Sequence, residues 1–497
     1  MRLHPKRWLY LTHRWLGIAL CAFFAMWFVS GMVMMYVGYP KLTPAERLQH
    51  LPALNAAAPL LAPAQALELA GITEPLKELR LAAASGGRPM YFATPAGARG
   101  GDVVLIDARR GEHLPPVDAD WALASAAAYA PGSQGLEYLD SIEEDAFTHS
   151  RGLDAHRPLH RVQLADADST RLYISGQTGE VVRDATRTER LWNYAGAWIH
   201  WLYPFRGNAF NAYWTDIVNW LSIAGIAVAL AGTVVGIMRW RFTRPYRSGA
   251  RSPYPGRMMR WHHVTGLLFA LVTITWIFSG LMSMNPWRIF NSGAAPLQTA
   301  AVQGTALKPT AQYAAPQALI DAADGAVREL RWQMVLGRAT VFAHSSSGAA
   351  QLFDARTAQP LALDPQALKA AAARLLPFPV TRIDTLSDYD LYYYARAPHS
   401  MMGASERPLP IWRMVFDDPH ASWVHLDPHT GNVLGRLDRH KRASRWLFAM
   451  LHSWDWLPLL ERRPLWDITL LALSLGGLLL SVSGVVIGWR RLRRRRA

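Results

Sequence analysis

Five of the seventeen histidines in this 497-residue sequence lie in or beside long apolar segments. They are His13, His200, His262, His263 and His452. His13 and His262 each stand four residues before a glycine at the start of an apolar segment, whereas His200 and His452 lie in Trp-rich stretches. Imidazole is a common axial ligand of haem iron, and its second ring nitrogen needs an acceptor that orients the ring. The pattern indicates iron–porphyrin ligation, with ordinary histidines at a membrane boundary as the alternative.

Four apolar segments are long enough to cross the roughly 30 Å hydrocarbon core of a bilayer, which takes about 20 helical residues. They are Trp15–Tyr36, Ile217–Trp240, Val264–Met284 and Ile468–Trp489. Trp and Tyr cluster at their ends, as at membrane interfaces. The first segment lacks an Ala-x-Ala cleavage site, so we expect an uncleaved membrane anchor. Ionisable residues are almost absent within the segments, which disfavours an ion pump.

The positive charge is concentrated in three short segments. Residues 1–15, 239–260 and 490–496 hold seventeen of the 52 Lys and Arg and no Asp or Glu, and the rest of the chain is nearly neutral. All three segments fall on one side of a membrane crossed four times, and the positive-inside rule makes that side cytoplasmic. We therefore expect a bacterial inner-membrane protein with two long periplasmic segments, about 39–213 and 285–465. A nucleic-acid partner is not expected, because such a protein concentrates charge on a folded face.

The single cysteine, Cys21, narrows the possible cofactor chemistry. It excludes a disulfide within the chain, a Cys-x-x-Cys-His motif for covalent c-type haem, and a Cys-rich zinc or iron–sulfur site. The sequence contains no Walker-type loop and no convincing Gly-x-Gly-x-x-Gly after a strand. Electrons for any redox reaction would therefore come from a quinol, a separate reductase or a soluble donor.

The chain repeats itself with a shift of about 250 residues. His13 and His262 are 249 residues apart, and both segments reach a Ser-Gly pair, at 30–31 and 279–280. The glycine of a Thr-Gly pair stands 21 residues before His200, and another stands 21 residues before His452. Each copy reads as span, outer region and span in the same direction. The sequence therefore predicts a parallel repeat with a pseudo-twofold axis along the membrane normal.

Each outer segment starts with a helix-like stretch, at 63–71 and 315–325, and continues in short strands with polar turns. The predicted strands are Leu76–Ala83, Pro89–Ala93, Val103–Asp107, Val327–Gln333, Ala339–His344 and Gln351–Asp354. Later strands, Arg171–Ser175 and Trp423–Asp427, precede Thr-Gly turns and predict hairpins. The predicted fold is a four-helix transmembrane bundle made of two parallel repeats, each with a periplasmic α+β insertion.

The histidine-led span start, the Ser-Gly pair near its far end, the Thr-Gly hairpins and the second histidine before the next span resemble the PepSY-associated transmembrane family. The resemblance covers essentially the whole chain. It implies an iron-regulated bacterial inner-membrane protein with PepSY-like outer regions. It also implies two b-type haems, held by histidines, that pass electrons outward to a periplasmic ferric siderophore or other ferric chelate.

The expected haem-iron ligands are His13, His200, His262 and His452. His263 is the alternative to His262, because neighbouring residues point about 100° apart on a helix and only one of them faces a given site. We favour His262 because it matches His13. Arg14 and Arg260 are expected to meet haem propionates. How the four histidines pair, and which residues act on the substrate, stays open at this point.

The predicted division of the chain is a cytoplasmic N-terminus and first span (1–38), a periplasmic PepSY-like region (39–188), an interfacial helix and second span (189–240), a basic cytoplasmic loop (241–260), a third span (261–284), a second periplasmic PepSY-like region (285–440), an interfacial helix and fourth span (441–489), and a basic cytoplasmic tail (490–497). The predicted function is haem-dependent electron transfer to a ferric chelate, from a quinol or reductase donor. The alternative is a non-enzymatic membrane scaffold that binds an envelope protein or peptide.

Overall fold

The computed structural model describes residues 5–54, 59–97, 102–133, 135–206, 209–346, 349–401, 403 and 406–493. The predicted basic residues Arg2, Arg494, Arg495 and Arg496 lie outside the described residues. Within the described part, three helices are long and apolar enough to cross a membrane, at Pro5–Met34, Asn211–Arg239 and Arg463–Arg493. There are up to four such spans if a bent pair of helices counts as one.

The described helices are, in chain order, α1 (Pro5–Met34), α2 (Pro44–His50), α3 (Pro63–Leu69), α4 (Ala119–Tyr129), α5 (Arg187–Asn193), α6 (Trp214–Arg239), α7 (Arg257–Leu268), α8 (Ala270–Ser283), α9 (Ala300–Gln303), α10 (Pro316–Ala322), α11 (Pro365–Ala372), α12 (Arg439–Ser444), α13 (Leu451–Ser453), α14 (Leu457–Leu460) and α15 (Arg463–Arg493). Five of them, α1, α2, α3, α10 and α11, start with proline, whose missing N–H would have no intrahelical partner in a first turn.

The predicted third span is broken in the structure. Helices α7 and α8 meet at Phe269 with a bend of 66°, where a straight helix was expected over 264–284. The Phe269 ring lies directly on the backbone of Gly476 in α15, since a Cβ placed on that glycine would lie 2.1 Å from the ring. The bend therefore coincides with a side chain that fills a gap only a glycine leaves open.

The four apolar segments pack against one another. Helix α1 contacts α6 and α15, α8 contacts α6, and α7 contacts α15. Glycines make the close approaches possible, as is usual between membrane helices. The ring of Phe28 packs against Gly477 of α15, and the side chains of Phe24 and Ile277 pack against Gly225 of α6.

The described strands are β1 (Leu76–Ser85), β2 (Arg88–Pro95), β3 (Val104–Asp107), β4 (Leu136–Ile142), β5 (Leu159–Leu164), β6 (Arg171–Ser175), β7 (Val181–Ala185), β8 (Val327–Val335), β9 (Arg338–Ser345), β10 (Gln351–Asp354), β11 (Val380–Leu386), β12 (Ile411–Phe416), β13 (Trp423–Leu426) and β14 (Val433–Leu437). They form one six-stranded sheet in the order β10-β9-β8-β1-β2-β3, and two four-stranded sheets, β4-β5-β6-β7 and β11-β12-β13-β14.

The six-stranded sheet joins the two halves of the chain. Strand β1 pairs antiparallel with β8, with Arg80 opposite Arg331 and Leu81 opposite Leu330. Alternate residues of both strands enter one core, in which Leu79, Leu81 and Trp332 are fully buried. Each four-stranded sheet is covered by its own helix, α4 on the first and α11 on the second. The outer regions are thus held together by a continuous sheet as well as by the chain.

A buried charge network lies where β1 and β8 pair. Glu329 is fully buried and accepts hydrogen bonds from Arg47 at 2.6 Å, Arg331 at 3.0 Å and Arg80 at 3.2 Å. Arg80 also binds Glu180 at 2.7 Å. Burial alone would favour the neutral acid, but the three arginines outweigh it and hold the pKa of the Glu329 carboxyl well below its usual range.

We expect Glu329→Gln to lower the free energy of unfolding by about 3 kcal/mol at neutral pH, because it leaves buried guanidinium groups without their counter-charge. The matched control is Glu78→Gln on β1. Its side chain is 35% exposed and lies 3.8 Å from Arg331, so its loss should cost less than about 1 kcal/mol. Thermal unfolding of the full chain in detergent, followed by Trp fluorescence, measures both.

The pH dependence of the free energy of unfolding provides a second test of the Glu329→Gln prediction. A carboxyl with a lowered pKa in the folded state contributes stability above its unfolded pKa of about 4.3. That contribution is lost as the pH falls below this value. The gap between the wild-type protein and Glu329→Gln should therefore stay nearly constant from pH 7 to about pH 5 and narrow as the pH falls below about 4.3, and a gap that does not narrow there would contradict the assigned network.

Candidate functional site

Two of the predicted histidines, His13 and His262, lie close together at one end of the apolar helices. The arginine-rich segments lie at the same end, which we call the basic end. His13 of α1 and His262 of α7 have ring centres 6.2 Å apart, with an angle of 35° between the rings. They come from the two different halves of the chain. We call them the basic-end pair.

The other two meet near the opposite ends of the apolar helices, where the chain enters the sheets, and we call them the sheet-end pair. The ring centres of His200 and His452 are 6.1 Å apart and the rings are nearly perpendicular, at 74°. A π-helical turn precedes each histidine, at Tyr194–Trp198 and Arg445–Met450. Such turns are rare and occur often at functional sites. They rotate the following residues relative to a regular helix.

A second shared feature follows each histidine of the sheet-end pair. Leu202 and Trp454 stand two residues after His200 and His452, and both adopt the left-handed conformation, with φ of 53° and 49°. Non-glycine residues seldom do so, and the strain is found where the surrounding structure requires it. The indole Nε1–H of Trp214 donates to the carbonyl of Trp201, 2.8 Å away, and so fixes this turn to the start of α6.

Hydrogen bonds fix the tautomer of the sheet-end pair. The hydroxyl of Ser30 donates to the carbonyl of Met26 at 2.7 Å, and we infer that its oxygen accepts the Nδ1–H of His200 at 2.9 Å. In the same way Ser279 donates to the carbonyl of Trp276 at 3.0 Å and accepts from Nδ1 of His452 at 3.0 Å. In both rings the proton is on Nδ1, which leaves the lone pair of Nε2 available to a metal.

The basic-end pair has the same tautomer, but here backbone carbonyl oxygens determine it. Nδ1 of His13 lies 3.2 Å from the carbonyl oxygen of Val228, which can only accept. Nδ1 of His262 lies 3.3 Å from the carbonyl of Leu480 and 2.9 Å from the hydroxyl of Ser483, which itself donates to Leu480 at 2.7 Å. All four histidines are therefore assigned the Nδ1 proton, which leaves the lone pair of Nε2 unprotonated.

The basic-end pair lines a large cavity. Its volume is about 1430 Å³, and it is lined by parts of α1, α6, α7, α8 and α15. Gly17, Gly232, Gly266 and Gly484 line it together with the two histidines. Of these glycines, Gly232 lies closest to a histidine ring, because a Cβ there would lie 2.5 Å from Cε1 of His13. The missing side chain of Gly232 leaves room for the His13 ring to lie against α6.

His263 makes different hydrogen bonds from its neighbour His262. Its Nε2 donates to the carbonyl of Gly236 at 2.9 Å, and its Nδ1 lies 2.8 Å from the hydroxyl of Ser252. Both nitrogens are thus engaged, and its proton is on the nitrogen that the other four leave free. His262, which faces His13, is the residue with a free Nε2.

The two predicted arginines also differ. Arg14 lines the cavity, and its Nε is buried without a hydrogen-bond partner among the described residues. Arg260 is exposed, its Nε lies 3.5 Å from the carbonyl of Tyr254, and it is not one of the residues that line the cavity. The arginines that join Arg14 there are Arg257, Arg490 and Arg491. These three were predicted only as parts of basic segments, and the serines that orient the histidines were not predicted as site residues, although the Ser-Gly pairs recur at matched offsets.

The described residues contain no group of three or more His, Cys, Asp or Glu placed to hold a metal ion. The site is therefore defined by two imidazole pairs within a membrane-protein fold. The chain belongs to the PepSY-associated TM region family, which it matches over residues 10–359. No curated protein matches it.

Proposed function

We propose that the protein is a membrane electron-transfer protein that holds one b-type haem at each histidine pair and reduces a ferric chelate. The observation that carries the proposal is a shared hydrogen-bonding pattern, in which Nδ1 of all four imidazoles lies beside a carbonyl or hydroxyl oxygen and Nε2 has no hydrogen-bond partner among the described residues. A histidine that packs or hydrogen-bonds for structural reasons has no need of this arrangement four times. Orientation by an acceptor on the second nitrogen is the usual support of a metal-bound imidazole.

The ring separations support the same proposal. A metal–imidazole bond is about 2.0–2.1 Å long, and the ring centre lies about 1.1 Å beyond the nitrogen, so two imidazoles on opposite sides of one metal have centres about 6.3 Å apart. The observed separations are 6.2 and 6.1 Å. Two imidazoles alone are too few for a bare ion, whereas a porphyrin brings four nitrogens of its own. The residues present therefore fit the group.

A haem bound at each pair would supply reversible one-electron chemistry at iron. The protein's part is to hold and orient the imidazoles through Ser30, Ser279, Ser483 and the carbonyl of Val228. The apolar helices exclude water around them. Two sites at opposite ends of the helices would divide a crossing of about 30 Å into shorter steps.

The proposal includes the membrane topology. We infer four spans, with α7 and α8 as one broken span, and two parallel repeats. The positive-inside rule places the basic end in the cytoplasm and the sheets in the periplasm of a bacterial inner membrane. Electrons would then pass from a cytoplasmic or membrane donor, a quinol or a reductase, to a ferric siderophore or similar chelate outside. Reduction to ferrous iron weakens its binding by hard oxygen ligands and releases the metal.

The first test is an ultraviolet–visible spectrum of detergent-purified protein, oxidised and then reduced with dithionite, with haem counted per chain. We expect sharp reduced α and Soret bands and about two haems per chain, one for each imidazole pair. A folded protein that is free of haem when purified from haem-sufficient cells would overturn the proposal and favour the scaffold alternative.

Removing an orienting hydroxyl should weaken haem binding without removing the ligand. We expect Ser279→Ala to lower haem affinity at the sheet-end pair about 10- to 100-fold, because Nδ1 of His452 loses its acceptor. Ser283→Ala is the matched control on the same helix, since its exposed hydroxyl bonds only to the carbonyl of Gly280. Haem transfer to apomyoglobin measures the affinity, and equal retention in both variants would contradict the assigned role.

A further inference from the structure

The cavity at the basic end carries more positive charge than a pair of histidines requires. Arg14, Arg257, Arg490 and Arg491 line it, and no Asp or Glu is among its described lining residues. Arg14 lies partly buried, and the other three are exposed at its opening. A cavity with charge of one sign and apolar walls concentrates ions of the opposite sign.

The start of helix α7 adds to this field. Its N-cap residue Gly256 and its first three residues, Arg257, Met258 and Met259, all line the cavity. The N-cap offers no side-chain hydrogen bond, and the first turn contains no acidic residue. The first backbone N–H groups of a helix have no intrahelical acceptor and form, with the helix dipole, an anion-binding site.

The unpartnered Nε of Arg14 is a further, independent sign of a missing acceptor. The atom is buried, and the described residues provide it with no hydrogen-bond partner. Leaving a buried charged donor unpaired is costly, so such a group normally has a ligand or water as its partner. The cavity thus contains two kinds of donor that lack a partner among the described residues, the Nε of Arg14 and the first N–H groups of α7, and an excess of positive charge.

We infer that the outer part of this cavity is a second site, which binds a phosphate- or carboxylate-bearing anion beside the haem. Pockets for drug-sized ligands measure about 300–1,000 Å³, so a cavity of about 1430 Å³ has room for a second small molecule beside one such ligand. This division of the volume rests on the proposed function, whereas the arginines and the helix start do not. The anion is either a water-borne phosphate compound or a phospholipid head group, because both offer the same oxygens to Arg257, Arg490 and Arg491.

Isothermal titration of the haem-loaded full chain with pyrophosphate tests this site. The variant is Arg490→Gln with Arg491→Gln, and the control is Arg244→Gln with Arg247→Gln, which removes the same charge from exposed positions outside the cavity. We expect the first pair to weaken pyrophosphate binding at least about tenfold and the control pair to change it less than about twofold, because only the first loses charge-assisted hydrogen bonds.

Nanodiscs separate the two sources of the anion. Pyrophosphate that binds wild-type protein in phosphatidylcholine but not in phosphatidylglycerol identifies a lipid head group, and equal binding in both identifies a water-borne ligand. Absence of saturable binding, or equal weakening by both variant pairs, would overturn the inference. Binding to haem-free protein that disappears on haem loading would also overturn it, since the arginines would then serve the haem alone. Arginine-dependent binding in a chain that never takes up haem would refute the proposed function and leave the anion site.

Discussion

Replacing His200 with alanine should lower the haem content from about two to about one per chain, and His452→Ala should remove the same haem. The double variant should then hold about one haem as well, because both residues serve one site at a ring separation of 6.1 Å. Non-additivity of this kind is typical of residues that act as a unit. His13→Ala combined with His200→Ala should remove both haems.

Haem counting by the pyridine haemochrome method measures these differences directly. His263→Ala is the internal control, because both of its ring nitrogens are hydrogen-bonded within the protein and it should keep both haems. A different pairing of the four histidines would give different haem counts for the double variants. If the ligands paired within each half, His13 with His200, that double variant would still hold one haem, and the assigned pairs would be refuted.

The second large loss of haem binding is expected when Gly232 of α6 is replaced with alanine. A Cβ at this position would lie 2.5 Å from Cε1 and 2.7 Å from Nδ1 of His13, closer than a Cβ atom normally comes to a non-bonded atom. Gly232→Ala must therefore displace the imidazole and break its hydrogen bond to the carbonyl of Val228. We expect haem affinity at the basic end to fall at least about tenfold, with the sheet-end haem retained.

Gly484 of α15 provides the matched comparison, since it occupies the corresponding place beside His262. A Cβ there would lie 3.5 Å from Cε1 of His262 and 3.3 Å from Cβ of Cys21, distances that a small shift accommodates. Gly484→Ala should therefore keep both haems. Haem content and the reduced α band of the two variants measure the difference, and equal haem loss would show that His13 is not held as described.

Much of the outer fold follows from local patterns in the sequence. The strands predicted at 76–83, 327–333 and 351–354 are present as Leu76–Ser85, Val327–Val335 and Gln351–Asp354. Alternating apolar residues and Thr-Gly turns determine such strands locally. Helices α4 and α11 were not predicted, because the many alanines of α4 give little periodic contrast and α11 has only eight residues.

The pairing of the two halves through β1 and β8 was not predicted either. It depends on contacts between residues about 250 positions apart. The Glu329 network is of the same kind, because its members come from α2, β1, β8 and the turn after β6. Neither alternation nor charge within one segment indicates which distant strand completes a sheet.

The sequence by itself determined the apolar segments, the basic segments and which histidines stand apart, since length, composition and matched spacing are local properties. Only the tertiary structure decided that His13 meets His262 and that His200 meets His452. The rotation of each helix, the π-helical turns and the bend at Phe269 set the direction of every ring. These depend on packing between segments, and so do the hydroxyl and carbonyl partners that place all four protons on Nδ1.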